Sequence, residues 1–161
     1  TFVPLLRTAG RGGIINVASA AGFAAAPTMG PYNVGKAGVM SLSETLAAEL
    51  SGSGVHVTVL CPTFVKTNVA VDGRITERST ELAQKLMRWT GFSPERIAVT
   101  TLDSHDRNLL YVVPQLDAKA IWLTKRLLPT LYTRGAGLLD RLLPGEPTPQ
   151  SLPAVSASTG V

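Results

Sequence analysis

Two short runs rich in β-branched residues flank one long helical segment, and this order constrains the fold most. Residues 14–18 form a short apolar run bounded by glycines, which favours a strand buried on both faces of a sheet, and residues 55–60 favour the next strand. Residues 31–50 carry one apolar stripe at helical spacing, made of Val39, Leu42, Leu46 and Leu50. A strand, a helix and a strand with short joins form a right-handed βαβ unit. The sequence therefore predicts an α/β fold with a parallel sheet.

The start of this helix carries a tyrosine and a lysine one turn apart. Pro31 suits the first helical position, so Tyr32 and Lys36 lie at i and i+4 on one face. A phenol has a pKa near ~10, and an ammonium group held close to it favours the phenolate. A tyrosine tuned in this way can act as general acid or base on an alcohol or carbonyl oxygen. Ser19 follows the first strand and is placed to donate a hydrogen bond to the same oxygen.

Three motifs carry a resemblance to a known family. Residues 16–22 read N-V-A-S-A-A-G, residues 32–38 read Y-N-V-G-K-A-G, and residues 62–67 read P-T-F-V-K-T. In this order and spacing they resemble the short-chain dehydrogenase/reductase family. The resemblance implies that residues 1–115 are the C-terminal portion of a partial Rossmann-like, doubly wound parallel sheet. It also implies a substrate lid over about residues 68–92.

The family's activity gives the chain an expected chemistry. The resemblance implies an NAD(P)-dependent oxidoreductase that interconverts a secondary alcohol and a ketone by hydride transfer. Tyr32 is then the general acid or base, Lys36 also holds the nicotinamide ribose, and Ser19 orients the substrate oxygen. The expected partners are a small hydrophobic alcohol or ketone and further copies of the chain in a homodimer or homotetramer, with the helix over 31–50 at the dimer interface.

The loop after the second strand is expected to bind the nicotinamide end of the cofactor. The resemblance assigns this role to Pro62, Thr63, Val65 and Thr67. Val65 would supply backbone groups to the carboxamide, and Thr67 would supply a hydroxyl. Thr63 stands where the family usually has glycine. NAD and NADP are not distinguished, because the discriminating residue follows a strand that this sequence does not contain.

The sequence has no glycine-rich turn after a first strand, where a dinucleotide fold binds phosphates. Residues 10–13 read G-R-G-G but precede a strand, so a helix C-cap and turn is the better interpretation. We therefore expect the C-terminal part of a longer enzyme. Two alternatives remain open: a truncated inactive fragment, and a non-catalytic membrane-associated or scaffolding member.

Residues 93–114 predict a further helix and strand. Ser93 and Pro94 are suited to the N-cap and first position of a helix whose apolar residues Ile97, Val99 and Leu102 face inward. Residues 103–106 read D-S-H-D, which is interpreted as a polar turn because adjacent residues cannot form a hydrolase triad. Residues 109–114 predict the final strand.

Residues 116–143 predict an amphipathic helical extension, which Pro129 and the glycines at 135 and 137 divide into two or three pieces. Leucines alternate there with lysines and arginines. One interpretation is a helix that packs on the domain or on a dimer mate. The other is peripheral membrane contact through residues 118–143. Residues 144–161 are rich in Pro, Ser and Ala and predict a disordered tail.

Composition and charge restrict the class of protein. The chain is 45% hydrophobic and 16% charged, which is enough to build a core, and no apolar run reaches the ~20 residues of a membrane span. The net charge of +4 is spread evenly, which argues against a nucleic-acid partner. Cys61 is the only cysteine, which fits a reducing, cytoplasmic location and predicts a buried structural thiol. No metal site is expected, because His56 has no partner at metal spacing.

Overall fold

The protein is described from a computed structural model that covers residues 2–66 and 91–142. The helices are α1 (Phe2–Ala9), α2 (Ala21–Ala24), α3 (Gly30–Glu49), α4 (Pro94–Asp106), α5 (Leu116–Leu127) and α6 (Pro129–Leu142). The strands are β1 (Gly12–Val17), β2 (Val55–Leu60) and β3 (Tyr111–Val112). Thr67, all of the predicted lid except its last two residues, and the predicted tail at 144–161 lie outside the described residues.

The strands form one parallel sheet in the order β1-β2-β3. The register of β1 against β2 runs from the Gly12–Val55 pair to the Val17–Leu60 pair, and β3 pairs with the end of β2 over two residues. Helix α3 connects β1 to β2, and α4 precedes β3. The predicted α/β class and the predicted βαβ unit are therefore confirmed.

Alternate residues of β2 face different helices. Val55, Val57 and Val59 belong to clusters that contain residues of α3, namely Met40, Leu46, Ala47 and the C-cap Leu50. The residues between them face α4, since Leu60 packs against Ile97 and the Thr58 hydroxyl contacts His105 Nδ1 at 2.9 Å. Helices thus cover both faces of the central strand, as a doubly wound sheet requires.

The prediction that the first strand is buried on both faces is wrong for the described chain. Residues of β1 alternate between partly buried and exposed, and Ile15 and Val17 are 36% and 58% exposed. The inward side of β1 packs on α3, where Asn16 Nδ2 donates to Ser43 Oγ at 2.9 Å. The outward side is exposed because, on that face, α4 packs mainly over β2 and β3.

The apolar stripe predicted for α3 includes one residue that is not buried. Leu42 is 54% exposed, whereas Met40 and Ser43 are the buried residues of the helix. The sheet contacts a face centred on residues 39, 40, 43 and 47, and a helix turns by about 100° per residue. Leu42 is rotated out of that face, so a prediction from its hydrophobic character alone gives it the wrong orientation.

Helix α4 begins as predicted but faces the sheet differently. Ser93 Oγ accepts a hydrogen bond from Arg96 N at 3.3 Å, which confirms the N-cap. Ile97 is buried as predicted, but Val99 and Leu102 are 58% and 55% exposed, so the prediction for these two is wrong. The second buried position is Thr101, one helical turn after Ile97, where its hydroxyl donates back to the Ile97 carbonyl at 2.7 Å.

Two predicted loops contain helix. Residues 103–106 form the last turn of α4 rather than a polar turn, because His105 has a partner in Thr58 on the sheet. Residues 20–30, whose small side chains and Pro27 predict a loop by sequence, contain α2, whose Phe23 and Ala24 are buried in the core. Tertiary burial of these side chains stabilises helical turns that local sequence does not favour.

The C-terminal region has two helices separated at Pro129. The glycines at 135 and 137 lie inside α6 and do not divide it. In α5 the fully buried residue is Ala118, and Trp122 packs against Phe23 and Tyr111 with ring centroids 6.4 and 5.5 Å apart. Within the described ranges, each helix is too short or too polar to span a bilayer.

Candidate active site

The predicted site residues that the structure describes lie at the carboxyl edge of the sheet. Backbone pairing continues beyond β1, since Ala18 N donates to Leu60 O and Ala20 N donates to Pro62 O, each at 2.8 Å. Ser19 therefore lies beside the start of the loop that follows β2. Open α/β sheets bind their ligands at this edge.

Ser19 is largely buried, with 9% of its surface exposed. Its Oγ accepts a hydrogen bond from Ala21 N at 3.2 Å and donates to Pro62 O at 3.5 Å. The second bond is long and therefore weak. The hydroxyl proton can be redirected to a better acceptor at small cost, while the bond from Ala21 holds the oxygen in place.

Tyr32 and Lys36 lie together at the start of α3. Lys36 Nζ is 5.7 Å from the centroid of the Tyr32 ring and donates to Val17 O, the last residue of β1, at 3.2 Å. Tyr32 is 47% exposed. The structure thus brings the tyrosine and lysine into one environment at the end of β1. Among the hydrogen bonds of residues 2–66 and 91–142, none joins Ser19 to either residue.

Gly22, in the first of the three motifs, allows α2 to pack directly on α3. A Cβ atom at this position would lie 2.8 Å from the Lys36 carbonyl carbon and 2.9 Å from its oxygen. Such distances are much shorter than a van der Waals contact, and backbone atoms cannot move away cheaply. The glycine therefore fixes the distance between the turn that follows Ser19 and the helix that carries Lys36.

Asn33, next to the candidate tyrosine, was not identified from the sequence. Its Nδ2 donates to Ala26 O at 2.7 Å and its backbone N donates to Met29 O at 2.9 Å. These bonds tie the loop between α2 and α3 to the first turn of α3. The Oδ1 atom is buried and has no hydrogen-bond partner within the described part of the chain.

The loop after β2 presents the backbone of Val65 to one side. Phe92 N donates to Phe64 O at 3.3 Å, and Lys66 N donates to Phe92 O at 3.0 Å. In extended backbone, successive residues point their N–H and C=O groups to opposite sides. The backbone groups of Val65 therefore point away from Phe92.

Two further residues missed from the sequence hold this loop. Gln115 is 2% exposed, and its side-chain amide accepts from Thr63 N at 3.2 Å and donates to Phe64 O at 3.0 Å. Asp117 Oδ1 accepts from the Thr63 hydroxyl at 3.2 Å. A threonine in place of glycine is thus accommodated by a hydrogen bond across to α5. No local signal marks a polar side chain before a helix as a clamp on a loop more than 50 residues earlier.

Cys61 lies at the end of β2 and is fully buried, which confirms the predicted structural thiol. Burial raises the pKa of this thiol from 9.0 to about 12. The nucleophilic form of cysteine is the thiolate. The thiol therefore has no role as a nucleophile at neutral pH, and the polar chemistry of this edge rests on Ser19, Tyr32 and Lys36.

Known proteins resemble this chain in both sequence and fold. The family model of short chain dehydrogenases matches residues 1–78. Dehydrogenase/reductase SDR family member 4 from Rattus norvegicus is 39% identical over 66 residues, which is 41% of this chain and 24% of the rat protein.

Two solved structures extend the likeness beyond the matched motifs. A short-chain dehydrogenase from Sphingobium yanoikuyae in complex with NADPH has a TM-score of 0.61 and 26% identity, and the match covers 92% of this chain and 53% of that one. A short chain dehydrogenase/reductase from Burkholderia phymatum in complex with NAD has a TM-score of 0.62 and 25% identity, with 92% and 56% covered. This chain spans about half the length of these structures and about a quarter of the rat protein. Over the part that these matches cover, the chain belongs to the short-chain dehydrogenase/reductase family.

Proposed function

We propose that the protein containing this chain is an NAD- or NADP-dependent oxidoreductase that interconverts a secondary alcohol and a ketone. The observation that carries the proposal is the position of the Lys36 ammonium group, 5.7 Å from the Tyr32 ring centroid at the carboxyl edge of a parallel sheet. A phenol beside a fixed cation is suited to proton exchange with a bound oxygen. The exposed Tyr32 side chain is open to such a ligand.

The residues at this edge fit the nicotinamide end of the cofactor. An ammonium group has three donors, and Val17 O takes one of those of Lys36, so ribose hydroxyls can take others. The backbone groups of Val65 point away from Phe92, and a carboxamide has both a donor and an acceptor to match them. Pro62 and Thr63 belong to the same loop, and Thr67, outside the described residues, completes the proposed set. When bound, the nicotinamide supplies the hydride transfer.

The chain itself supplies placement and proton transfer. Tyr32 exchanges a proton with the substrate oxygen, and Lys36 holds its positive charge beside the same ring. Ser19 donates its hydroxyl proton to the same oxygen and stabilises negative charge that develops there. Gly22 and Asn33 act indirectly, since they set the position of α3 against the turn after Ser19.

Replacing Tyr32 by Phe in the full-length protein tests this assignment. The change removes one oxygen atom from a side chain that is 47% exposed, so we expect the fold to be retained. Turnover of secondary alcohols should fall by about 10² or more, the usual contribution of general acid–base catalysis. Steady-state kinetics over a panel of alcohols and ketones, with both NAD and NADP, gives the measurement and also identifies the preferred cofactor.

Tyr132→Phe is the matched control. Tyr132 lies on α6, away from the site, so this substitution removes the same oxygen atom without touching the site. Full activity of Tyr32→Phe would contradict the assignment. The rival hypothesis of an inactive fragment is tested separately by fluorescence titration of the 161-residue chain with NADH and NADPH. Tight binding by this chain alone would contradict the fragment hypothesis, and absence of binding would support it without affecting the assignment in the full-length protein.

A further inference from the structure

Helices α5 and α6 repeat one sequence pattern. Residues 116–127 read L-D-A-K-A-I-W-L-T-K-R-L, and residues 131–142 read L-Y-T-R-G-A-G-L-L-D-R-L. Both segments have leucine at their first, eighth and twelfth positions, a cation at the fourth position and arginine at the eleventh. Each copy ends at the last residue of its helix, so the repetition is structural as well as sequential.

The repeated leucines form an exposed stripe on each helix. Positions seven and eleven residues after the first leucine fall within about 20° of it, on either side, around a helix axis. On α5 the side chains of Leu116, Leu123 and Leu127 are 80%, 55% and 74% exposed. On α6 those of Leu131, Leu138 and Leu142 are 64%, 58% and 73% exposed. We call these two sets the leucine stripes.

The stripes are not the faces by which the helices pack. Helix α5 attaches to the domain through Ala118, Ile121 and Trp122, which belong to or pack against the main core cluster. Helix α6 has no buried residue, and its less exposed positions include Tyr132 and Ala136, off the stripe. Helix α5 therefore packs on the domain by a side away from its stripe, α6 has no buried side, and the two helices together present six stripe leucines to the solvent.

Cations lie along one border of each stripe. Lys119 and Arg126 on α5, and Arg134 and Arg141 on α6, lie about 60–80° from their stripe and on the same side of it. The acidic residues Asp117 and Asp140 lie about 100° and 180° away from the first leucine of their helices. Each apolar stripe is thus bordered by positive charge.

The two stripes meet at the corner between the helices. An open groove of about 360 Å³ is lined by Leu127, Leu128, Pro129, Thr130, Leu131 and Arg134. Leu127 ends the first stripe and Leu131 begins the second, so apolar surface continues from one helix to the next. Arg134, from the cationic border, lines the same groove.

We propose that the α5–α6 hairpin docks on an anionic lipid bilayer, with the leucine stripes in the boundary between headgroups and acyl chains. Amphipathic helices with this distribution lie in the membrane interface, and each Lys or Arg near an anionic leaflet strengthens the attraction. The hairpin carries five cations and two carboxylates. This excess favours an anionic surface over a second copy of the chain, which would bring the same excess against itself. The inference is independent of the proposed catalytic activity.

Vesicle co-sedimentation tests the proposal on the 161-residue chain. We expect binding to vesicles of phosphatidylcholine with about one third phosphatidylglycerol, and binding at least about tenfold weaker to phosphatidylcholine alone, since each cation contributes about fivefold near an anionic surface. Arg134→Gln with Arg141→Gln should weaken binding to anionic vesicles by on the order of tenfold. Leu131→Ser with Leu138→Ser should also weaken it by about tenfold or more, because less apolar area enters the interface.

Matched controls come from α4, which lies outside the hairpin. Leu102 is 55% exposed, like Leu123, so Leu102→Ser removes an equally exposed leucine and should leave vesicle binding unchanged, as should Arg107→Gln. Circular dichroism verifies that every variant keeps its helix content. Equal binding to neutral and anionic vesicles, or unchanged binding by both hairpin variants, would overturn the proposal. So would loss of self-association in sedimentation experiments without loss of vesicle binding, because the stripes would then be an interface between copies.

Discussion

The thiol of Cys61 shows how burial sets the chemistry of a single residue at the edge of the site. The side chain is fully buried at the end of β2, two residues from Thr63. The interior solvates a thiolate poorly, so the pKa rises from 9.0 to about 12. A cysteine this close to the proposed cofactor loop therefore remains a neutral, inert part of the core.

This burial predicts slow reaction of Cys61 with thiolate-selective reagents. At pH 8 the folded chain should react with Ellman's reagent at least about tenfold more slowly than the chain unfolded in urea, because both access and ionisation are suppressed. The raised pKa also makes the free energy of unfolding depend on pH, because the folded chain holds the thiol proton more tightly than the unfolded chain does. The stabilisation that Cys61 contributes is complete below pH 9 and is lost as the pH rises towards 12. Rapid labelling of the folded chain at pH 8 would contradict the burial.

At the scale of elements, the contact between α5 and the loop after β2 holds the proposed cofactor site together. Gln115 precedes α5 and bonds to the backbone of both Thr63 and Phe64, and Asp117 bonds to the Thr63 hydroxyl. The loop after β2 is thus anchored by the start of α5, which lies some fifty residues later in the sequence. The geometry of Val65 therefore depends on α5 as well as on β2.

Replacing Gln115 by Met tests this anchoring. Methionine has a similar volume but no donor or acceptor for these bonds, so the half-buried Thr63 N loses its partner at about 1–3 kcal/mol, whereas Phe64 O keeps its bond from Phe92 N. We expect the free energy of unfolding to fall by about 1–2 kcal/mol in urea denaturation, and the Kd for the nicotinamide cofactor to rise in the full-length protein. Lys119→Met on the exposed side of α5 is the control and should change stability by less than about 0.5 kcal/mol. Equal effects of the two substitutions would show that the Gln115 bonds contribute nothing.

At the scale of the whole molecule, the outer face of α3 is open. Val34 and Leu42 are 73% and 54% exposed, and a Cβ atom at Gly35 or Gly38 would meet nothing within 4 Å in the described chain. Small and apolar residues on one helix face permit close approach of another helix. We propose that this face contacts a second copy of the protein, which would complete the homodimer or homotetramer expected from the resemblance.

Leu42→Arg in the full-length protein tests this interface. A charge buried against an apolar partner surface is strongly unfavourable, so the dimer Kd should rise by at least about 10²-fold in sedimentation equilibrium. Leu102→Arg is a suitable control, because Leu102 is 55% exposed on α4. If the Leu42 variant assembles like the unmodified protein, the contact between copies lies elsewhere.

The chain also divides into two parts along its sequence. We propose that residues 1–115 form the C-terminal portion of the dehydrogenase domain and that residues 116–143 form a helical extension. The bond from the Thr63 hydroxyl to Asp117 argues that the start of this extension is part of the site, whereas α6 contacts the rest mainly through α5. Limited proteolysis near Pro129 would remove α6 and leave α5 attached, so cofactor binding by the cleaved protein would show whether the site needs α6.

The sequence by itself determined the local elements and the motif residues. Strands at 14–18 and 55–60, the helix that begins near Pro31 and the N-cap at Ser93 follow from β-branching, helical spacing and cap chemistry, which act over a few residues. The one-turn spacing of Tyr32 and Lys36 is likewise a local property. For these features, the neighbours that determine the structure are neighbours in the chain.

Only the tertiary structure decided which side chains face inward and what holds the site. Leu42, Val99 and Leu102 are apolar yet exposed, because orientation depends on the face that the sheet covers. The packing of Gly22 on Lys36 and the bonds of Gln115 join residues far apart in sequence. The repeated leucines of α5 and α6 acquire meaning only when the fold leaves them uncovered. Such features arise from contacts across the sheet and between layers, and no local pattern encodes them.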